Sequence, residues 1–227
     1  LEDTARVARR YCDAIILRTF TDARLRAFAA AATVPVINGL SDAGHPVQLL
    51  ADLFTIEGRL GKLKGRKVAF VGDGASNMGL SWVEAAGLFE FDLRFASPEG
   101  FQPPPEAVKA SGGKVSLRKT PKDAVAGAEV IVTDVWTSMG QEGEVLARQA
   151  AFNGYFIDEA LLAQAKAGAV VLHCLPAHRG EEISSEVLDG PQSAAWDEAE
   201  NRLHVQKALL EVLMLGHETT PRDAEAR

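Results

Sequence analysis

Cysteine is nearly absent from this 227-residue sequence, which has two, Cys12 and Cys174, far apart in the chain. That excludes a disulfide framework and makes a reducing, cytoplasmic setting the expectation. An excess of basic residues is absent too. Lys and Arg number 24 against 31 Asp and Glu, for a formal net charge of -7, whereas a nucleic-acid-binding surface is basic. No apolar run approaches the ~20 residues of a membrane span, and no signal-peptide pattern opens the chain. What is present is ordinary globular composition, 47% hydrophobic and 24% charged, enough for one large domain or two small ones. The chain opens on Leu1 rather than Met and passes at once into the helical pattern Thr4–Arg10. A fragment or processed product lacking an N-terminal segment is the expectation.

Strand-like runs alternate with helix-like ones. Ala14–Leu17, Pro35–Ile37, Lys67–Val71, Phe91–Phe95, Lys114–Leu117, Glu129–Thr133 and Ala169–Leu172 are short and apolar. Helical spacing lies between them, so the fold class predicted is α/β with parallel sheets and covering helices. One helix is predicted from about His45 to Glu57. Pro46 suits its first position, and Val47, Leu50, Ala51 and Phe54 form its stripe. Another is predicted from about Glu198 to Leu215, with Leu203, Leu210 and Leu213 among its apolar positions and Gly216 at its end. Pro103-Pro104-Pro105 and Thr120-Pro121 read as helix starts, the second capped by Thr120. The Gly- and Lys-rich stretch 61–66 is the best domain boundary. Before it lies the remnant of one α/β domain, and after it a new α/β unit starts at Val68.

Ligands of open parallel sheets bind at the carboxyl ends of the strands, and four such ends carry unusual residues. The first leads to His45-Pro46-Val47-Gln48. His45 and Gln48 lie three apart at a helix start, where free N–H groups favour an anion or a polarised carbonyl. The alternative is a capping His45 with a solvated Gln48. The second is Gly72-Asp73-Gly74-Ala75-Ser76-Asn77. It resembles a dinucleotide fingerprint, but the third glycine is misplaced and no acidic residue ends the next strand. Asn77 there offers an amide suited to an amino-acid backbone, or simply a cap. The third is Asp134 through Ser138, Met139 and Gly140, a carboxylate and hydroxyl suited to an ammonium group, or a turn around a buried Trp136. The fourth is His173-Cys174-Leu175-Pro176, followed by His178 and Arg179. Cys174 reads as a nucleophile, a metal ligand or a packed thiol. Arg18, after the first strand, and Arg202, on the last helix, reach the same crevice or form surface ion pairs.

Asp3–Val7, the His45–Gln48 motif, Gly72-Asp73-Gly74 with Asn77, Asp134 through Ser138-Met139-Gly140, His173–Pro176 and Glu200-Asn201-Arg202 occur together in one order. In this the chain resembles the transcarbamoylase family over its whole length, and its Ser-Met-Gly and His-Cys-Leu-Pro motifs resemble the ornithine branch. The resemblance implies transfer of a carbamoyl group from carbamoyl phosphate to the δ-amine of L-ornithine, giving citrulline and phosphate. With no nucleic-acid or membrane partner expected from the composition, the resemblance implies no cofactor and no metal, and a homotrimer with sites at subunit interfaces. It also implies two parallel-sheet α/β domains joined by interdomain helices, the first incomplete, divided as 1–60, 61–195 and 196–227, with the final helix returning to the first domain. It assigns Arg18, His45, Gln48, Cys174, Leu175 (through its carbonyl) and Arg202 to carbamoyl phosphate. Asn77, Asp134, Ser138 and Met139 go to ornithine, and Cys174, Asp134 and His45 to catalysis. Ser76 and Gly79-Leu80 depart from the family pattern. The family's Ser-x-Arg-Thr-Arg phosphate motif is not among these residues, so the 227-residue polypeptide alone is expected to be inactive. The other readings kept open are a non-catalytic amino-acid-binding remnant and a transcarbamoylase acting on putrescine or acetylornithine.

Overall fold

Each apolar run becomes a strand because short β-branched and aromatic stretches bury best in a sheet. In a computed structural model, which describes residues 1–138 and 141–215, the strands are β1 (Ile15–Arg18), β2 (Val36–Leu40), β3 (Lys67–Val71), β4 (Asp92–Ala96), β5 (Val115–Arg118), β6 (Val130–Thr133) and β7 (Val170–His173). The α-helices are α1 (Glu2–Ala8), α2 (Asp22–Ala31), α3 (Pro46–Leu60), α4 (Asn77–Phe89), α5 (Pro105–Ala110), α6 (Pro121–Val125), α7 (Val145–Ala151), α8 (Glu159–Leu162), α9 (Ser185–Leu188) and α10 (Ala195–Leu215). β1 and β2 pair in parallel as one small sheet, and the other five form a second parallel sheet in the order β5-β4-β3-β6-β7. The α/β parallel-sheet class expected from the sequence is therefore the observed one.

In the larger sheet, Val68 and Phe70 of β3 point to one face, with Trp82, Phe91, Phe95 and Leu172. Ala69 and Val71 point to the other, with Ile131, Ile157, Val171 and Ile183. Burial on both faces explains why the run is continuously apolar. The chain leaves β3 toward β4 and β5, then returns to β6 on the other side, so the strand order reverses between β3 and β6. The register pairs Val71 with Thr133 and Thr133 with His173. The loops starting at Gly72, Asp134 and Cys174 consequently emerge side by side at the carboxyl edge. At the amino edge, the turns into β6 and β7 pass through Gly127 and Gly168, both at positive φ.

Helix α3 departs from its expected limits. It continues through Gly58 to Leu60 and stops at Gly61, whose φ of 76° and ψ of -159° form a backbone conformation that glycine adopts freely. Its buried stripe is also shifted. Leu49, Leu53 and Ile56 join Val47 and Ala51 inside, while Leu50 and Phe54 are exposed. An all-round apolar helix leaves this ambiguous in sequence. Helix α10 begins at Ala195, one turn earlier than expected, and its Leu203 and Leu213 are exposed. Gly216 lies outside the described residues. The two helices lie antiparallel along a polar seam. Thr55 accepts from Asn201 (2.8 Å), and Arg59 pairs with Asp197 (2.5 Å). Among the described residues no helix is long and apolar enough to cross a membrane.

The first turn of α4 sits directly on the backbone of Gly74. A Cβ at Gly79 would overlap the Gly74 carbonyl and come within 2.8 Å of its Cα. Gly79→Ala is expected to destabilise the protein by about 1–3 kcal/mol, the cost typical of overpacking, measurable by denaturant unfolding.

Candidate active site

The first wall is built by β1, α3 and α10. His45 occupies the N-cap of α3 but makes no side-chain cap. Its backbone N–H instead donates to Ser81 Oγ on α4 (2.8 Å), which in turn donates to the carbonyl of Asn77 (2.8 Å). The imidazole Nδ1 is buried without a partner. Burial, with the nearby charges of Arg202 and Arg18, lowers the His45 pKa to about 4. Near neutral pH it is therefore an uncharged imidazole able to donate a hydrogen bond. Arg18, Val47, Arg202 and Gln206 line one concavity, and Arg202 Nε is buried without a partner. Arg202 Nη1 donates to Gln48 Oε1 (2.5 Å) rather than to a surface carboxylate.

The second wall comes from the ends of β6 and β7. Cys174 Sγ donates to Asp134 Oδ1 (3.1 Å), which also accepts the Val135 N–H (2.8 Å). Burial raises the Asp134 pKa, opposed first by the Cys174 hydrogen bond. The Cys174 thiol is pushed well up, by burial first and then by the charges of Asp134 and Glu198. It is a protonated donor. Of the three readings of Cys174, a thiolate nucleophile is the one its surroundings oppose. Leu175 has φ +51°, and its N–H donates to His173 Nδ1 (2.9 Å). Nδ1 is thus an acceptor, so Nε2 carries the proton and donates to Glu182 Oε1 (2.9 Å). His178 stands apart, exposed beside Glu181.

Two carboxyls join the walls. Gln48 Nε2 donates to Asp52 Oδ1 (2.9 Å) and to Glu198 Oε1 (2.8 Å). Glu198 Oε2 accepts the N–H of His173 (2.9 Å), the residue before Cys174. Asp52, Glu198 and Asp134 lie close enough for their charges to act on Cys174 together.

The other predicted residues are placed less closely. Asn77 is the first residue of α4, half-buried, and the cap there is Ser76, which accepts from the N–H of Gly79 (3.1 Å). This corrects the capping alternative for Asn77. Asp73 is no nucleotide ligand. Its Oδ2 accepts from Arg148 Nη1 (2.8 Å), which also donates to the carbonyl of Trp136 (2.8 Å). That pins the Asp134–Ser138 loop to the end of β3, while Trp136 is buried against Phe152. Ser138 is half-buried and donates its N–H to Gln141 Oε1 (3.0 Å). Met139 and Gly140 lie outside the described residues. The sequence reading missed Asp52, Glu198, Arg148 and Glu182. The only signal was spacing: Asp52 follows Gln48 by four, and Glu198 precedes Arg202 by four, so each pair shares a helix face.

Two family models match this chain: the Asp/Orn binding domain of aspartate/ornithine carbamoyltransferase over residues 64–213, and its carbamoyl-P binding domain over residues 1–58. Among curated relatives, the ornithine carbamoyltransferase of Sorangium cellulosum is 55% identical over 92% of this chain and 70% of its own length. That of Rhodococcus opacus is 54% identical over 98% and 72%. Among solved structures, the ornithine carbamoyltransferase of Pyrococcus furiosus is 46% identical, with a TM-score of 0.88 over 96% of this chain and 71% of that one. The Thermus thermophilus enzyme is 40% identical, with a TM-score of 0.87 over 94% and 70%. The chain belongs to the aspartate/ornithine carbamoyltransferase family.

Proposed function

We infer that this chain carries the chemistry of an ornithine carbamoyltransferase: L-ornithine attacks carbamoyl phosphate through its δ-amine, and citrulline and phosphate leave. The observation that carries the reading is the junction through Glu198, which ties the strand end bearing the thiol–carboxylate pair to the Gln48 amide and the Arg202 guanidinium. Arg18, His45, Gln48 and Arg202 hold carbamoyl phosphate. The neutral His45 and the guanidiniums polarise its carbonyl as oxyanion-type donors. Leu175 offers its carbonyl to the carbamoyl group. Asn77, Asp134, Ser138 and Met139 hold ornithine. The δ-amine has a reference pKa of about 10 and must lose its proton to attack. Asp134, with its pKa raised by burial, draws that ammonium in beside Cys174 and accepts its proton. The rest of the catalysis is positioning of two bound reactants.

Residues 1–60 form part of the carbamoyl-phosphate domain with the linking helix, 61–195 the ornithine domain, and 196–227 the returning helix and tail. The working unit is a cytoplasmic homotrimer. The test is a substrate panel of ornithine, acetylornithine, putrescine and aspartate with carbamoyl phosphate, run on the protein at its natural full length. Ornithine is expected to lead in kcat/KM by about 10,000-fold, the discrimination of a site that pairs its substrate's polar groups. A lead for putrescine or aspartate would overturn the reading. In the same assay the 227-residue polypeptide alone is expected to form negligible citrulline.

A further inference from the structure

Two buried acids touch neither reactant in the scheme above. Asp52 and Glu198 are each 1% exposed, one on α3 and one on α10. They meet at the same atom, the side-chain nitrogen of Gln48. The opposite end of that amide, Oε1, accepts from Arg202. The two ends of an amide look alike to packing but not to hydrogen bonding, since nitrogen only donates and oxygen only accepts. An ionised carboxylate accepts and a guanidinium only donates. With two acids at one end and an arginine at the other, a single flip state of Gln48 satisfies every partner. We propose that Asp52 and Glu198 are positioning residues that lock the Gln48 amide with its nitrogen turned into the protein and its oxygen turned toward Arg202, and thereby set which way round the carbamoyl group binds.

The lock matters because the carbamoyl group is itself an amide-like fragment, with an NH2 at one corner and a carbonyl at another. An outward Oε1 accepts from that NH2, leaving the carbonyl to the cationic and imidazole donors. A flipped Gln48 sets donor against donor, at Arg202 and at the carbamoyl NH2. Burial raises the pKa of both acids, and the charge of Asp52 raises that of Glu198 further. Burial thus works against both acids being ionised at once. Glu198 also acts at its other oxygen, which accepts from His173, so the carboxyl that orients Gln48 fixes the strand end carrying Cys174 as well.

The proposal rests on the reading that Gln48 contacts carbamoyl phosphate, and three variants of the full-length protein separate the two. Gln48→Ala tests that contact itself: an unchanged KM for carbamoyl phosphate removes the underlying reading. Glu198→Gln places an NH2 against either Gln48 Nε2 or the His173 N–H. It is expected to raise KM for carbamoyl phosphate at least tenfold while changing KM for ornithine less than threefold. Asp52→Asn keeps an oxygen that can accept from Gln48 Nε2, so its KM for carbamoyl phosphate is expected to rise less than that of Glu198→Gln, again with KM for ornithine little changed. A merely structural acid pair predicts instead that both substitutions lower Tm and leave the ratio of the two KM values unmoved. That result, beside an impaired Gln48→Ala, overturns the proposal. If Glu198→Gln does not fold, Asp52→Leu removes one of the two acceptors, and the same KM split is read from it. No split there also overturns the proposal.

Discussion

Asp134→Asn is expected to lower kcat for citrulline formation by about 100- to 10,000-fold, the usual worth of a positioned proton acceptor. The substitution keeps the shape of the side chain, and its Oδ1 can still accept from the Cys174 thiol and the Val135 N–H. What it removes is the capacity to take a proton and the negative charge that draws in an ammonium ion. Asp134 is well suited to proton transfer because burial raises its pKa, bringing it nearer that of the amine it serves. The loss is expected to diminish at alkaline pH. Bulk water then supplies the neutral amine directly, and the rate of the variant climbs about tenfold per pH unit as the pH approaches the amine pKa of about 10. Steady-state kinetics at saturating ornithine from pH 7 upward measure both effects. A variant within threefold of the parent at neutral pH would remove Asp134 from proton transfer.

Arg202→Met comes next, with kcat/KM for carbamoyl phosphate expected to fall about 100- to 1,000-fold, the cost of losing one donor to a developing oxyanion. The side chain lines the same concavity as Arg18, and its Nε has no protein partner. A buried donor without a partner is the group a ligand oxygen would satisfy. The substitution has a second, separable signature. The Arg202 charge is one of the causes holding the His45 pKa near 4. Removing a cation favours the imidazolium, so that pKa rises. Burial, the larger cause, remains, so it stops short of the ordinary 6.5. His45 therefore protonates at a higher pH in the variant, and the acid side of the pH–kcat/KM profile moves upward. A weakened enzyme with an unshifted acid limb would separate Arg202 from His45.

How much of this was legible in the chain follows from the range of each interaction. The central strands were readable because burial on two faces writes a local apolar run, as at Val68–Val71, and the half-exposed β1, β2 and β5 because their short runs are apolar all the same. The loops after them were readable because Asp134, Cys174 and His45 sit within a few residues of a strand or helix end. Helix α3 was misread at its stripe, since apolar residues on several of its sides serve different neighbours. Glu198 was legible only as an acid four residues before Arg202, because its partner Gln48 lies 150 residues away, and that spacing does not tell an acid that locks an amide from one facing water. The protonation state of Cys174 was also beyond sequence. It depends on three carboxyls delivered by α3, α10 and the end of β6.

The aligned strand ends and the glycine turns divide labour across the large sheet. Neighbouring strands stand about 4.8 Å apart, so three adjacent tips deliver reactive groups into a space the width of a small metabolite. At the opposite rim Arg66 and Lys166 pair with Glu129, and the reversals at Gly127 and Gly168 have open space around the backbone. Lengthening or decorating that rim leaves the reacting atoms where they are, so inherited variation and deliberate grafting have room on one side of the molecule while the other is held to tolerances of a fraction of an ångström.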